Sequence, residues 1–269
     1  MHATDLTLRY AASRSGGRVD AIVGLNLDIR RGEILALVGE SGSGKSTLAE
    51  TIAGFAGTGK PGSPDIVGGS MRVLGHELRG LGKKERNELT LRVGYVPQDG
   101  GARLNPHLTV GENVAEPIYE RDRHFNQREA AIAVATVVDA VHMPMSCMNS
   151  FPHELSSGQR QRIAVARGLV LEPTLLVADD PTAGIDITVR RAILDIIRGL
   201  QASRELSALI VTHTVSEVRQ LSDRVAVLQA GALVGLGDID ELLADPTHEY
   251  VARLASALDP DPGSPTRES

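Results

Sequence analysis

Two stretches of this chain combine residue types that act on phosphate. The first is GESGSGKS, Gly39 to Ser46, set between the apolar run EILALV and the helical pattern TLAETIAG. Gly39, Gly42 and Gly44 let the backbone curl, so that N–H groups around Glu40, Ser41 and Ser43 converge on one anion where a Cβ would obstruct the turn. The helix that follows adds the partial positive charge of its N-terminus. Lys45 is then placed to reach the β- and γ-phosphates of a nucleotide, and the Ser46 hydroxyl to bind Mg2+. The second stretch is LLVADDPTAGID, four apolar residues ending in the adjacent carboxylates Asp179 and Asp180. Neighbouring acids repel, and burying either is costly unless a cation or hydrogen-bond donors stand by. A solvated turn is one reading of Asp-Asp-Pro. A phosphate loop elsewhere in the chain favours another, because a nucleotide's metal needs an acid at the carboxyl end of a nearby strand. Asp179 then meets Mg2+ directly or through a water, and Asp180 falls where a general base could orient or deprotonate an attacking water.

Such residues need a rigid frame. The chain has 269 residues, enough for one large domain or two small ones with a substantial core. It contains 28 Gly, no Trp, three Phe and four Tyr, a mixture that suits an α/β protein with tight turns better than a nucleic-acid reader built on stacking platforms. A formal net charge of -6 also argues against a protein that lives on phosphate backbones. The short apolar runs ILALV, LLVA, ALIV and VAVL, each bounded by Gly, Asp or His, read as strands buried on both faces. Between them lie helical patterns, QREAAIAVATVVDAV with Asn126 and Glu129 at capping-box spacing, and VRRAILDIIRGLQAS. This alternation predicts a mainly parallel sheet with helices on its faces.

The lone Cys147 can form neither an internal disulfide nor a thiolate metal site, which points to a reducing compartment. No run approaches the ~18 consecutive apolar residues of a membrane span, and MHATDLTLRY lacks a signal-peptide pattern. The expectation is a cytoplasmic chain that meets a membrane only through partners. His107, His142, His153 and His248 show no metal-ligand spacing, and the tail DPDPGSPTRES, residues 259–269, reads as disordered.

The phosphate loop, FPHELSSGQRQRIAVARGL, VADDPTAGID and IVTH, in this order and spacing, resemble the ATP-binding subunit of an ABC transporter from about Thr4 to Leu258. GESGSGKS, PQDGGARLNPHLTVGENVAEPI, FPHELSSGQRQR and DPTHEYVARLASAL resemble the oligopeptide, dipeptide and nickel importer branch in particular. The resemblance implies an α/β P-loop NTPase (RecA-like) core, residues 1–98 and 160–240, with an N-terminal antiparallel β subdomain and an inserted α-helical subdomain at 99–159. It implies ATP and Mg2+ as ligands. By matching position, Tyr10 is the residue to stack on adenine, an ordinary strand aromatic being the alternative, and Thr47 approaches the α-phosphate. Gln98 senses Mg2+ and the attacking water, and His213 meets the γ-phosphate. Asp186 crosses to a second subunit. Ser156, Ser157, Gly158 and Gln159 form the signature segment. It precedes a helix whose N-terminus caps the γ-phosphate held by a second ATP-binding subunit, so that ATP closes a head-to-tail dimer.

The implied partners are that second cassette, two membrane permease subunits and an extracytoplasmic solute-binding protein, with the chain on the cytoplasmic face of the membrane and no nucleic acid bound. The resemblance therefore predicts an ATPase that powers import of a peptide, nickel or metal-chelate solute. Its alternatives are a soluble ATPase component of an enzyme complex such as carbon-phosphorus lyase and a DNA-repair or translation factor. Three positions depart from the family pattern. Ser157 replaces the first signature glycine, Ala183-Gly184-Ile185-Asp186 stands where Ser-Ala-Leu-Asp is usual, and Asp180 stands where the family has Glu. The last substitution predicts slow hydrolysis at this chain's own site, which fits either a heterodimer whose sister subunit supplies the Glu or a homodimer that tolerates Asp.

Overall fold

The computed structural model describes residues 1–10, 19–58, 62–182, 184–185, 187–204 and 206–258. Strands β1 (His2–Tyr10), β2 (Val19–Asp28) and β3 (Ile34–Gly39) lead into α1 (Lys45–Ile52). Then come β4 (Pro64–Val73), β5 (His76–Glu77), α2 (Lys83–Arg92) and β6 (Val93–Val96). Only helices follow until the next strand, the longer ones being α3 (Val110–Arg121), α4 (Gln127–Ala140) and α5 (Ser157–Leu169). The chain then alternates through β7 (Leu175–Asp179), α6 (Ile187–Arg204), β8 (Ser207–Val211), α7 (Val215–Leu221) and β9 (Arg224–Gln229). It closes with β10 (Ala232–Gly237), α8 (Ile239–Ala244) and α9 (Glu249–Leu258).

Two sheets result. An antiparallel sheet has the order β2-β1-β4-β5, and a larger one the order β10-β9-β3-β8-β7-β6, parallel except for β10. The apolar runs ILALV, LLVA, ALIV and VAVL are the core of this parallel sheet, as expected for strands covered on both faces. Side chains alternate between the two coverings. Leu35, Leu37, Val177, Leu209 and Leu228 pack with Leu48 and Ile52 of α1 and with the antiparallel sheet. Leu176, Ala178 and Ile210 pack toward α5 and α6, while Ala36, Val38 and Val225 meet Val218, Tyr250 and Val251 of α7 and α9.

The helical insertion is joined to this frame without a break, because α5 runs unbroken from Ser157 to Leu169 and the 159/160 boundary falls inside it. Its N-terminal half carries the signature segment, and Ile163, Val165 and Ala166 are buried in the core shared with the sheet. The turn at Gly100–Arg103 lies against the same helix. A Cβ at Gly101 would come 2.8 Å from the Gln161 nitrogen, and the Gly101 N–H donates to Gln161 Oε1 at 2.9 Å. Asn126 caps α4 by accepting from the Arg128 and Glu129 N–H groups at 2.9 and 3.2 Å. Among the described residues no helix is long and apolar enough to cross a membrane. The tail expected to be disordered, 259–269, lies outside the described residues.

Candidate functional site

Four neighbouring strands end on one edge, and each delivers a different polar group. In the order β3, β8, β7, β6 their carboxyl ends carry the Gly39–Ser46 loop, Thr212-His213, Asp179-Asp180 and Gln98. The register keeps these ends level. Asp179 pairs with Val211, the Asp180 N–H donates to Val211 O at 3.0 Å, and the Thr212 N–H donates to Leu37 O at 3.1 Å. Parallel pairing thus gathers residues that are up to 174 positions apart, from Gly39 to His213, on one rim.

A cavity of about 350 Å³ opens there. Ser41, Gly42, Gly44, Lys45, Ser46 and Thr47 line one side, and Gln98, Asp179 and His213 another. Tyr10 closes an edge, its hydroxyl hydrogen-bonded to Thr47 Oγ1 at 2.9 Å. Gly39, Glu40 and Ser43 serve the lysine. Lys45 Nζ donates to Gly39 O at 2.9 Å, to Glu40 O at 2.7 Å and to Ser43 Oγ at 3.4 Å. The loop tolerates no side chain at two places. A Cβ on Gly44, whose φ is +100°, would lie 2.3 Å from Ala21 O, and one on Gly39 would lie 2.1 Å from Leu228 O. Both clashes are with backbone, so glycine is a steric requirement here.

The site holds its charges at a cost that a ligand can offset. Lys45 is buried, which lowers its pKa, while Asp179 and Asp180 pull the other way. Burial pushes the Asp179 carboxyl up, against a hydrogen bond from Ser46 and the charge of Lys45. Asp180 is likewise raised by burial, with His213 and Arg190 opposing and Glu217 and Asp179 reinforcing the rise. Its Oδ2 stands 3.9 Å from His213 Nε2. Asp180 itself adopts φ +47°, a left-handed conformation that Asp accepts more readily than most residues.

Ser46 and Asp179 together form a hydroxyl–carboxylate donor pair beside the phosphate loop, and Gln98 adds an amide oxygen on the same cavity wall. Hard oxygen donors with a single carboxylate suit Mg2+, which keeps waters and takes phosphate oxygens for its remaining positions. Among the described residues no group of three or more His, Cys, Asp or Glu could hold a metal by itself.

The signature residues stand apart from this cavity, at the start of α5. Ser156 is the N-cap and Ser157 the first helical residue, one position earlier than a helix following both serines would begin. The Ser156 N–H donates to Gln159 Oε1 at 2.8 Å, and the Gln159 N–H to Ser156 Oγ at 3.2 Å. This reciprocal cap uses the serine oxygen as an acceptor and leaves its O–H to donate outward. Asp186 lies outside the described residues.

Several residues at the site were not expected from sequence. Val19, Asp20 and Ala21 line the cavity beside Tyr10. They arrive there because Tyr10 pairs with Val19 across the antiparallel β1–β2 ladder, a contact visible only once the hairpin is assigned. Thr182, Thr212 and Glu217 form a buried hydrogen-bonded group behind Asp180 and His213, with no local pattern to announce it.

The ABC transporter family profile matches residues 22–183, more than half of the 269. The oligopeptide transport ATP-binding protein OppD of Mycobacterium tuberculosis is 39% identical over 250 residues, covering 93% of this chain but only 39% of that protein's length. OppD of Bacillus subtilis is 36% identical over 94% of this chain and 69% of its own length, and OppF of Salmonella typhimurium is 35% identical over 90% and 70%. Among solved structures, the dimeric post-hydrolysis state of the ATP-binding cassette MJ0796 bound to ADP and Pi superposes with a TM-score of 0.77 at 26% identity. That alignment covers 88% of this chain and 97% of that one. CbiO1 from Clostridium perfringens, part of the ABC transporter complex cbiONQ, superposes with a TM-score of 0.75 at 25% identity over 96% and 95%. With the family profile over residues 22–183, more than half of its length, and the cassette fold over nearly all of it, this chain belongs to the ABC transporter family.

Proposed function

We propose that the chain is the ATP-binding and ATP-hydrolysing subunit of a solute importer that works through membrane permease partners. The solute is an oligopeptide by the names of its relatives; nickel or a metal chelate fits the same motifs. The observation that carries this reading is the convergence of Lys45, Ser46, Gln98, Asp179 and His213, from four separate segments, on one cavity.

The residues then divide the work. The backbone N–H groups of residues 40–46 and the Lys45 ammonium hold the β- and γ-phosphates, and Tyr10 with Val19 receives the base. Ser46, Asp179 and Gln98 would hold Mg2+, which when bound supplies positive charge against the phosphate oxygens. Asp180 accepts a proton from the attacking water as the new O–P bond forms and the bond from phosphorus to the leaving oxygen of ADP breaks. His213 steadies the γ-phosphate and, through it, the water. Ser156 and Gly158 offer their helix N-terminus to the nucleotide of a second cassette, as the free O–H of Ser156 allows. Closure of that dimer on ATP and its opening after hydrolysis shift the permeases between two states by differential affinity. Asp180 in place of Glu leaves a slow site completed by a sister subunit, or a homodimer that accommodates Asp, as the two arrangements to be separated.

Lys45→Ala tests the reading. The variant should lose Mg-ATP binding, ATP-dependent dimer closure and hydrolysis together, because the charge that holds the β- and γ-phosphates is gone. Unchanged ATP affinity and turnover in the purified variant would remove the phosphate-loop assignment.

A further inference from the structure

Glu217 lies four residues beyond His213, in the first turn of α7, and is 4% exposed. An acid near a helix N-terminus is favourable by itself and is usually left in water. This one is turned inward, and its two oxygens serve different segments. Thr182 Oγ1 donates to Oε1 at 3.0 Å, and Thr212 Oγ1 donates to Oε2 at 2.5 Å. Arg190 of α6 forms an ion pair with Oε1 at 3.3 Å. Thr212 Oγ1 in turn accepts from the Thr214 N–H at 3.1 Å, so the bonds continue on both sides of His213. One carboxylate therefore ties the residue two after Asp180, the residue before His213 and the helix beyond residues 183–186.

We propose that Glu217 is a positioning residue that holds Asp180 and His213 in register for hydrolysis. The inference rests on the roles given to those two residues above. The physical case is one of rigidity. Asp180 and His213 both sit just past a strand end; the Asp180 N–H is still held by Val211 O at 3.0 Å, but the two side chains stand 3.9 Å apart with no direct hydrogen bond to fix them on each other. Each needs an outside anchor, and a common anchor sets their relative position. A carboxylate has two acceptors at a fixed separation and can take both threonine hydroxyls at once. An apolar side chain would be cheaper to bury, but would leave two buried hydroxyls without acceptors.

The test compares Glu217→Ala with Glu217→Gln and Thr212→Val in the purified chain. Misplacing a reacting group by about 1 Å costs on the order of 10²-fold in rate. Glu217→Ala should therefore lower kcat by roughly that factor, with the Mg-ATP dissociation constant moving less than about threefold, because Lys45, Ser46 and Asp179 keep their places. The Thr214 amide should exchange its hydrogen faster, an observable independent of turnover. Glu217→Gln keeps the shape and, with one threonine hydroxyl reversed, both bonds, so it should turn over at least about tenfold faster than Glu217→Ala. Thr212→Val cuts a single tie, and should lower kcat while keeping binding; it decides the matter if Glu217→Ala does not fold. Full kcat in Glu217→Ala or Thr212→Val overturns the proposal, as does an equal loss in the Ala and Gln variants or a parallel loss of binding and turnover. Asp180→Asn measured alongside separates the two layers. If it hydrolyses ATP normally, the role given to Asp180 fails, while the tie through Glu217 is still judged by amide exchange.

Discussion

Asp180 is one methylene shorter than the Glu usual at its position, so its carboxylate stands back by roughly 1.5 Å, one C–C bond. For a base that must meet a water, a shortfall of about 1 Å is worth on the order of 10²-fold, or roughly 2.7 kcal/mol of barrier. Binding groups are unaffected, so the site should hold Mg-ATP well and hydrolyse it slowly. Asp180→Glu in the assembled complex should raise the single-turnover rate of this site. An unchanged or lower rate would mean that Asp180 is already well placed. The adjacent acid supports a prediction of opposite sense. Asp179 is buried and its pKa is raised, chiefly by that burial, so the folded protein holds its proton more tightly than the unfolded chain does. Stability of the ligand-free protein then falls as pH rises from the ordinary carboxylate value of 3.8 through the raised one. Asp179→Asn removes that charge. The nucleotide-free variant should melt at a higher temperature than wild type at pH 7.5, and the difference should shrink below about pH 4. Saturating Mg-ATP should reverse the order, because only the wild type gains fully from the ligand. A lower melting temperature for the ligand-free variant would show that Asp179 is already compensated within the protein.

At the scale of elements, the loop after β6 is fitted to α5 by glycine. Gly101→Ala would put a Cβ 2.8 Å from the Gln161 nitrogen and 2.9 Å from the Arg160 carbonyl carbon, neither of which can move without moving the helix. The expected loss is about 1–3 kcal/mol in urea unfolding, the range for overpacked positions. A loss below a few tenths would mean the turn lifts freely from α5. Which elements could be read in advance follows from the same physics. The parallel strands were legible because burial on both faces makes continuous apolar runs, and α4 and α6 because their apolar spacing is helical. β1 and β4 were not, since register shifts interrupt their ladder and break the alternation a pattern search needs. The phosphate loop and the Asp-Asp pair were legible as local strings. Glu217 was not, because its partners Thr182 and Thr212 are joined to it only when β7 and β8 lie side by side. Val19 and Ala21 reach the cavity only through pairing with β1.

For the molecule as a whole, a second cavity of about 470 Å³ opens between the strand edge at β6 and the helical insertion. Its walls carry Phe55, Tyr95 and Leu104 as apolar surface and Arg103, Arg121 and Arg167 as cations. Phe55 is 45% exposed there, with its ring 5.3 Å from that of Tyr95. Arg121 is held against α2 by donating to Asn87 O at 2.9 Å and Thr90 Oγ1 at 3.0 Å. For the permease partner proposed above, a loop helix that is apolar on one face with an acid at its edge would have the matching chemistry. The same cavity wall includes Pro97 and Gly100, on either side of Gln98 at the nucleotide cavity. A helix seated here would therefore press on the segment that carries Gln98, the residue proposed above to hold Mg2+. Arg103, Leu104 and Pro117 of the helical insertion supply one wall of this cavity, and Phe55 and Tyr95 extend the surface onto the core. Phe55→Asp places a charge at the centre of the apolar part, where anchor residues in interfaces cost about 2 kcal/mol or more when lost. The variant should bind Mg-ATP as wild type does, yet lose roughly 30-fold or more in affinity for the permeases, together with solute-stimulated ATP hydrolysis in the reconstituted complex. Wild-type co-purification with the permeases would move the docking surface elsewhere. Loss of ATP binding in the isolated variant would mean instead that Phe55 supports α1 and the phosphate loop, since it follows that helix by only two residues after Ala53.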